Sequence, residues 1–127
     1  MIGHSNHSGS RFVELLKVHE IERVIDIRTY PKSRWPQFNQ RSMTALLEAQ
    51  GIEYQHAPLL GGRNPLLAPE ILLELRNYLP PVSATCFLCS EGDPQGCHRH
   101  SLIAPAVRGL GYSVVQILKD GSLWEDR

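Results

Sequence analysis

Net charge is the first thing this chain lacks. Its 13 Lys and Arg residues balance 13 Asp and Glu, so no global field draws the protein onto nucleic acid. It also lacks any apolar run approaching the roughly 20 residues of a membrane span. The opening MIGHSNHS has neither the basic nor the apolar region of a secretory signal. Together these absences predict a cytoplasmic protein with no membrane partner. Cysteine is scarce and odd in number, three in 127 residues. In a reducing compartment that argues against a disulfide framework and leaves thiol chemistry, metal binding or plain burial. Internal repeats and low-complexity segments are absent, and the length suits a single domain over 1–127 that buries roughly two-thirds of its unfolded surface. No motif speaks to oligomeric state.

What is present is arginine and a regular alternation of elements. Ten of the thirteen cations are arginine, whose planar fork suits carboxylates and phosphates. MIGHS reads as a short strand, followed by a helix over Ser10 to Glu20 with Phe12, Leu15 and Leu16 on one face and Ser8 or Ser10 as cap. RVIDIRTY is a buried strand, and the two prolines of PKSRWPQF turn the chain into a loop. Asn39 caps a helix through Gln50 that Gly51 ends. IEYQHAPL is a third strand with LGGRNP as its exit loop. Pro69 opens a helix running to about Leu79, and ATCFLCS has the near-continuous apolar character of a central strand. A last helical stripe runs from Arg99 to Leu110, with YSVVQIL as the fifth strand. Pro105 is a misfit inside that stripe and should kink the helix or delay its start.

Strand and helix alternating about five times predict an α/β fold: one mainly parallel, Rossmann-like sheet of about five strands with helices on both faces. Function on such sheets sits at the C-terminal strand edge. The loops leaving that edge are SNHSGS, PKSRWPQF, LGGRNP and SEGDPQGCHRH.

In order along nearly the whole chain, IGHSN, VIDIRTYPKSRWPQFN, GIEYQHAPLLGGR and CSEGDPQGCHRH resemble the bacterial domain-of-unknown-function 488 family. The resemblance implies a compact α/β domain in which the cysteine, Cys-His-Arg and arginine motifs converge on one site of enzymatic character, with no settled reaction.

The residues themselves single out Cys86 to Ile103, which holds all three cysteines. Cys89 closes a central strand, and the loop behind it leads to a helix beginning near Cys97 to Arg99. A helix start favours a thiolate and an anion, so Cys89 is the candidate nucleophile, against the plainer reading of a buried cysteine packed as a small hydrophobe. Rhodaneses and cysteine phosphatases share the strand, cysteine, loop, helix arrangement, and VIDIR is similar to the rhodanese strand. Their loops are shorter than the nine residues that separate Cys89 from Arg99 here. Zinc on Cys86, Cys89, Cys97 and His98 has the right donors, but positions 86 and 89 point to opposite faces of a strand. No metal and no cofactor is therefore expected. A redox pair of Cys89 with Cys97 is a further reading.

Asp26 and Arg28 share a strand face and reach the same edge. Arg28 and Arg34 have the geometry to fork onto an anion, and Trp35 beside Arg34 suits a base or nucleotide. Arg63 and Cys97 are expected at the same mouth, whereas Gly61 and Gly62 serve a tight turn rather than a phosphate loop. The family resemblance adds His4 as acid–base or thiol partner. The expected function is a cysteine-dependent hydrolase or transferase for a small anionic, phosphorylated or nucleotide-like substrate, with Cys89, His98 and His4 catalytic and Arg28, Arg34, Arg63, Arg99, Asp26, Trp35 and Cys97 binding. A non-catalytic nucleotide or nucleic-acid binding module and a rhodanese-like or redox thiol protein are the alternatives. Arg99, expected at the mouth of the site rather than in the core, should be dispensable for stability.

Overall fold

Apolar runs alternating with amphipathic segments produce six strands and four α-helices among the residues that the computed structural model of the protein describes, 1–62, 67–81 and 83–127. In chain order they are β1 (Ile2–Gly3), α1 (Gly9–Val18), β2 (Arg23–Asp26), α2 (Gln40–Glu48), β3 (Glu53–His56), α3 (Ala68–Leu75), β4 (Thr85–Cys89), α4 (Ala104–Gly109), β5 (Val114–Ile117) and β6 (Leu123–Asp126). One sheet holds all six strands, in the order β3-β2-β4-β1-β5-β6. The first five are parallel to their neighbours, and β6 runs antiparallel to β5. The mainly parallel α/β sheet is as expected from the sequence, with one strand more. That strand follows a turn in which Gly121 adopts φ +90°, and Ser122 is held by the Asp120 carboxylate.

Local chemistry explains the boundaries. Ser8 caps α1, its Oγ accepting the Arg11 backbone N–H at 3.1 Å. Asn39 precedes α2, but its side chain makes no cap bond. Its Oδ1 accepts the Ser33 N–H at 2.7 Å instead and ties down the loop before the helix. Gly51, at φ +73°, ends the turn after α2, a conformation cheap only for glycine. Pro105 has no N–H to give, and the turn ahead of it, Arg99–Ile103, is π-type, with the Ala104 N–H reaching back to the Arg99 carbonyl. Regular α-helix starts only at Ala104, the delayed start that the proline predicts.

Alternation along the strands divides the molecule into two cores. Val24, Cys86 and Leu88 face α1 and α2, packing with Phe12, Leu16, Met43 and Leu47. Ile25, Ile27, Phe87 and Cys89 face α3 and α4, packing with Ile71, Leu75 and Val107. Pairing of Ile25 with Phe87 and of Asp26 with Leu88 keeps the two strands in step, so side chains of like parity share a face. Each fully buried Leu, Ile or Phe contributes roughly 1.5–3 kcal/mol. Among the described residues, no helix is long and apolar enough to cross a membrane.

Candidate functional site

Parallel pairing brings the C-terminal ends of β1, β2, β3 and β4 to one edge of the sheet. Between the loops that leave them lies a cleft of about 480 Å³, lined among others by Tyr30, Lys32, Gly62, Cys89, Cys97 and His98. The paired glycines contribute by their smallness. A Cβ on Gly61 would stand 2.0 Å from Thr29 Oγ1 and 2.6 Å from its backbone nitrogen, and one on Gly62 would stand 3.0 Å from His98 Nδ1. Gly61 has an ordinary extended φ of −73°, so close approach rather than a special turn conformation requires the glycine.

Cys89 and Cys97 meet in this cleft as free, buried thiols. Both sulfurs belong to the same cleft and the same core, and each acts on the other's ionisation. Cys97 is held down at about 4, first by the Cys89 thiol, then, against its own burial, by His98 and by the backbone N–H and charge of Arg99. Cys89 is pushed well up, chiefly by burial and then by Cys97, while the Arg99 charge pulls the other way. The two thiols thus titrate as a pair, with Cys97 low and Cys89 high. His98 Nδ1 lies 3.7 Å from Cys97 Sγ, and Nε2 lies 3.0 Å from the Leu60 carbonyl oxygen. A carbonyl only accepts, so Nε2 carries a proton. Nδ1 is therefore the nitrogen left to exchange a proton with the sulfur.

Arg99 is wholly buried rather than at the mouth. Its Nη1 donates to Cys89 Sγ at 2.8 Å and to the Glu91 carbonyl at 2.6 Å, Nη2 donates to the Gly92 carbonyl at 3.3 Å, and Nε donates to Gln116 Oε1 at 2.9 Å. Gln116 Nε2 in turn donates to Asp126 Oδ2 at 3.0 Å. Arg108 and His100 complete the shell of Asp126, each at 2.8 Å. Burial pushes the Asp126 carboxyl up, but hydrogen bonds from His100 and Gln116 and the charge of Arg108 outweigh it and hold the group low. A buried chain of polar contacts therefore runs from β6 through β5 to the thiol pair.

Asp26 and Arg28 reach the same edge on the other face of the sheet. Arg28 grips both oxygens of Asp26 through Nε and Nη2, at 2.7–3.2 Å, and its Nη1 donates to the Phe38 carbonyl at 2.7 Å. The Tyr54 hydroxyl donates to Asp26. His4 stacks on Phe38 with ring centroids 4.4 Å apart, and its Nδ1 lies 2.8 Å from the Ser5 carbonyl oxygen. β1 does lie beside β4, with the His4 N–H bonded to the Cys89 carbonyl at 2.9 Å. The imidazole nevertheless points away from the sulfur, to the α1 and α2 side. Arg34 is exposed and lies over the Trp35 ring at 5.1 Å, and neither residue lines the cleft. Arg63 lies outside the described residues. The structure thus gathers Cys89, Cys97, His98 and Arg99, and puts Asp26 and His4 on the other face, while Arg28, bonded to Asp26, also lines the cleft. Cys86 and Cys89 occupy opposite cores, so a zinc site using both has no common focus.

Gln116 and Asp126 are the residues that sequence reasoning missed. A lone glutamine inside the apolar run VVQIL was the available signal, since a buried amide needs partners. Asp126 had none, because β6 was not recognised. No curated protein and no solved structure matches the chain. A family sequence model does match, over residues 8–71, from the cap of α1 through β2, α2 and β3 into α3. That span is half of the chain and ends before β4, so the thiols lie beyond it. On that match, the protein belongs to the family described as Domain of unknown function DUF488.

Proposed function

We propose that this protein is a cysteine-dependent hydrolase or transferase acting on a small anionic, phosphorylated or nucleotide-like substrate, with Cys97 as nucleophile and His98 as its acid–base partner. The position of the Cys97 sulfur carries this reading. It stands in the wall of a cleft, with Cys89 beside it in the same wall and the His98 imidazole 3.7 Å away, and its acidity is raised by Cys89, His98 and Arg99. A thiolate so held is present at neutral pH without a separate activation step. Attack on an acyl or phosphoryl centre forms a bond to Cys97 as the bond to the leaving group breaks, and the His98 imidazolium gives that group its Nδ1 proton, leaving the neutral ring with its proton on Nε2. Water or an acceptor then releases the product, with the proton returning to His98. We place the nucleophile on Cys97 rather than Cys89 because His98 Nδ1 lies beside the Cys97 sulfur, whereas the Cys89 sulfur is tied to the buried Arg99. The guanidinium groups of Arg28 and Arg99 are engaged with protein acceptors, so Lys32 supplies the cation at the cleft. Tyr30, 61% exposed at the rim, offers a ring face for a base.

Iodoacetamide labelling tests the assignment. At pH 6 a free thiol of pKa about 8.5 is under 1% thiolate, whereas Cys97 should label close to its plateau rate, and inorganic phosphate or a nucleoside monophosphate should slow it. Cys86, buried in the opposite core, is the internal control. Labelling of Cys97 no faster than in the unfolded chain at that pH would overturn the proposal.

A further inference from the structure

A single nucleophile does not explain why two thiols share this cleft. Cys89 is fixed by the end of the central strand, and Cys97 leads into the π-type turn before α4. The two side chains line the same cleft and pack in the same core. Cys86 faces the other core and is no competitor. Open space lies next to Cys97, since nothing is within 4 Å of the place a Cβ on Gly96 would take. From this juxtaposition we infer that Cys89 and Cys97 interconvert between dithiol and disulfide by exchange with a small-molecule disulfide. The inference rests on Cys97 being the nucleophile.

The exchange balances in two steps. The Cys97 thiolate attacks one sulfur of the small disulfide, forming a mixed disulfide and expelling one thiolate. Cys89 then gives up its proton to that thiolate, directly or through water, and attacks the Cys97 sulfur, expelling the second thiolate. The protein loses two electrons and the small disulfide gains them. Arg99 gives the couple its direction. Its charge stabilises the anionic dithiol, a stabilisation the neutral disulfide forgoes, so the oxidised pair is readily reduced by thiols.

The test uses the native chain and 2-hydroxyethyl disulfide, quenched in acid at intervals and read by intact mass and peptide mapping. The expected course is a transient mercaptoethanol adduct on Cys97. It gives way to an adduct-free chain lighter by two hydrogens, with Cys89 linked to Cys97 and Cys86 free. Reduced glutathione restores the starting mass. The Cys89→Ser chain should stop at the adduct, but the wild-type course decides the matter by itself. A lasting adduct on Cys97, or a link to Cys86, overturns the disulfide while leaving Cys97 as nucleophile. No adduct and no link at Cys97, where the unfolded chain reacts, overturns both readings.

Discussion

Among the described residues, Arg99 has the largest side chain that the fold buries completely, and its surroundings explain how a full charge is kept there. Four acceptors, one of them the Cys89 sulfur of the thiol pair, take up its fork. An arginine after a loop reads from sequence as a mouth residue, because charged side chains are seldom buried unless paired, and the partner Gln116 lies on a different strand. Its removal would leave buried acceptors unpaired, so it is not the dispensable residue that the sequence suggests. His4 answers burial in the opposite way, by staying neutral. Burial, with Arg28 as a smaller influence in the same direction, lowers its pKa to about 4, against the Ser5 hydrogen bond and Asp26, which raise it. The unfolded chain therefore takes up this proton first as pH falls. Stability is complete above about 6.5, declines between there and about 4, and loses roughly 3 kcal/mol to this group as an order of magnitude. His7, also lowered by burial, adds to the same slope. Urea unfolding of the wild type and of His4→Phe at pH 7, 5.5 and 4 should show a shallower acid decline in the variant. Equal slopes would mean that His4 is charged in the fold.

β1 is only two residues long, yet its Gly3 has the tightest surroundings of the described glycines. A Cβ on Gly3 would stand 1.5 Å from the Glu91 carbonyl oxygen, the same oxygen that accepts from Arg99. Gly3→Ala must therefore push the thiol loop away, at about 1–3 kcal/mol or more. Gly96→Ala, with open space at its Cβ, is the matched control and should be near neutral. Comparable urea midpoints for the two variants would show that the loop gives way at no cost. The parallel strands β2, β4 and β5 were legible by their own runs of apolar residues, and β1 and β3 by their place in the alternation with helices. β6 was not, because the four residues of LWED place only one side chain, Asp126, in full burial, and that one is polar. Pro105 was legible as a disturbance, and its effect on the helix start followed from the missing N–H alone.

On the scale of the whole molecule, the edge that holds the candidate site followed from topology, since parallel strands put every exit loop at one end. The sorting of side chains between the two faces of that edge did not. Whether Arg28 and Cys89 share a face depends on the register of β2 against β4, and the sequence of neither strand encodes that parity. The result is a sheet with a polar centre on each side, Asp26 with Arg28 and Tyr54 on one, the thiols with Arg99 and Gln116 on the other. Four interstrand spacings, roughly 19 Å, separate the strands of Tyr54 and Gln116. Tyr54→Phe and Gln116→Met should then be additive in stability to within about 0.5 kcal/mol, as a double-mutant cycle by urea unfolding would measure; a larger coupling would reveal communication through the sheet. With additivity, the backbone layer acts as an insulator. Substitutions that retune the thiols then leave the Asp26 centre untouched, and each face is free to change without renegotiating the other.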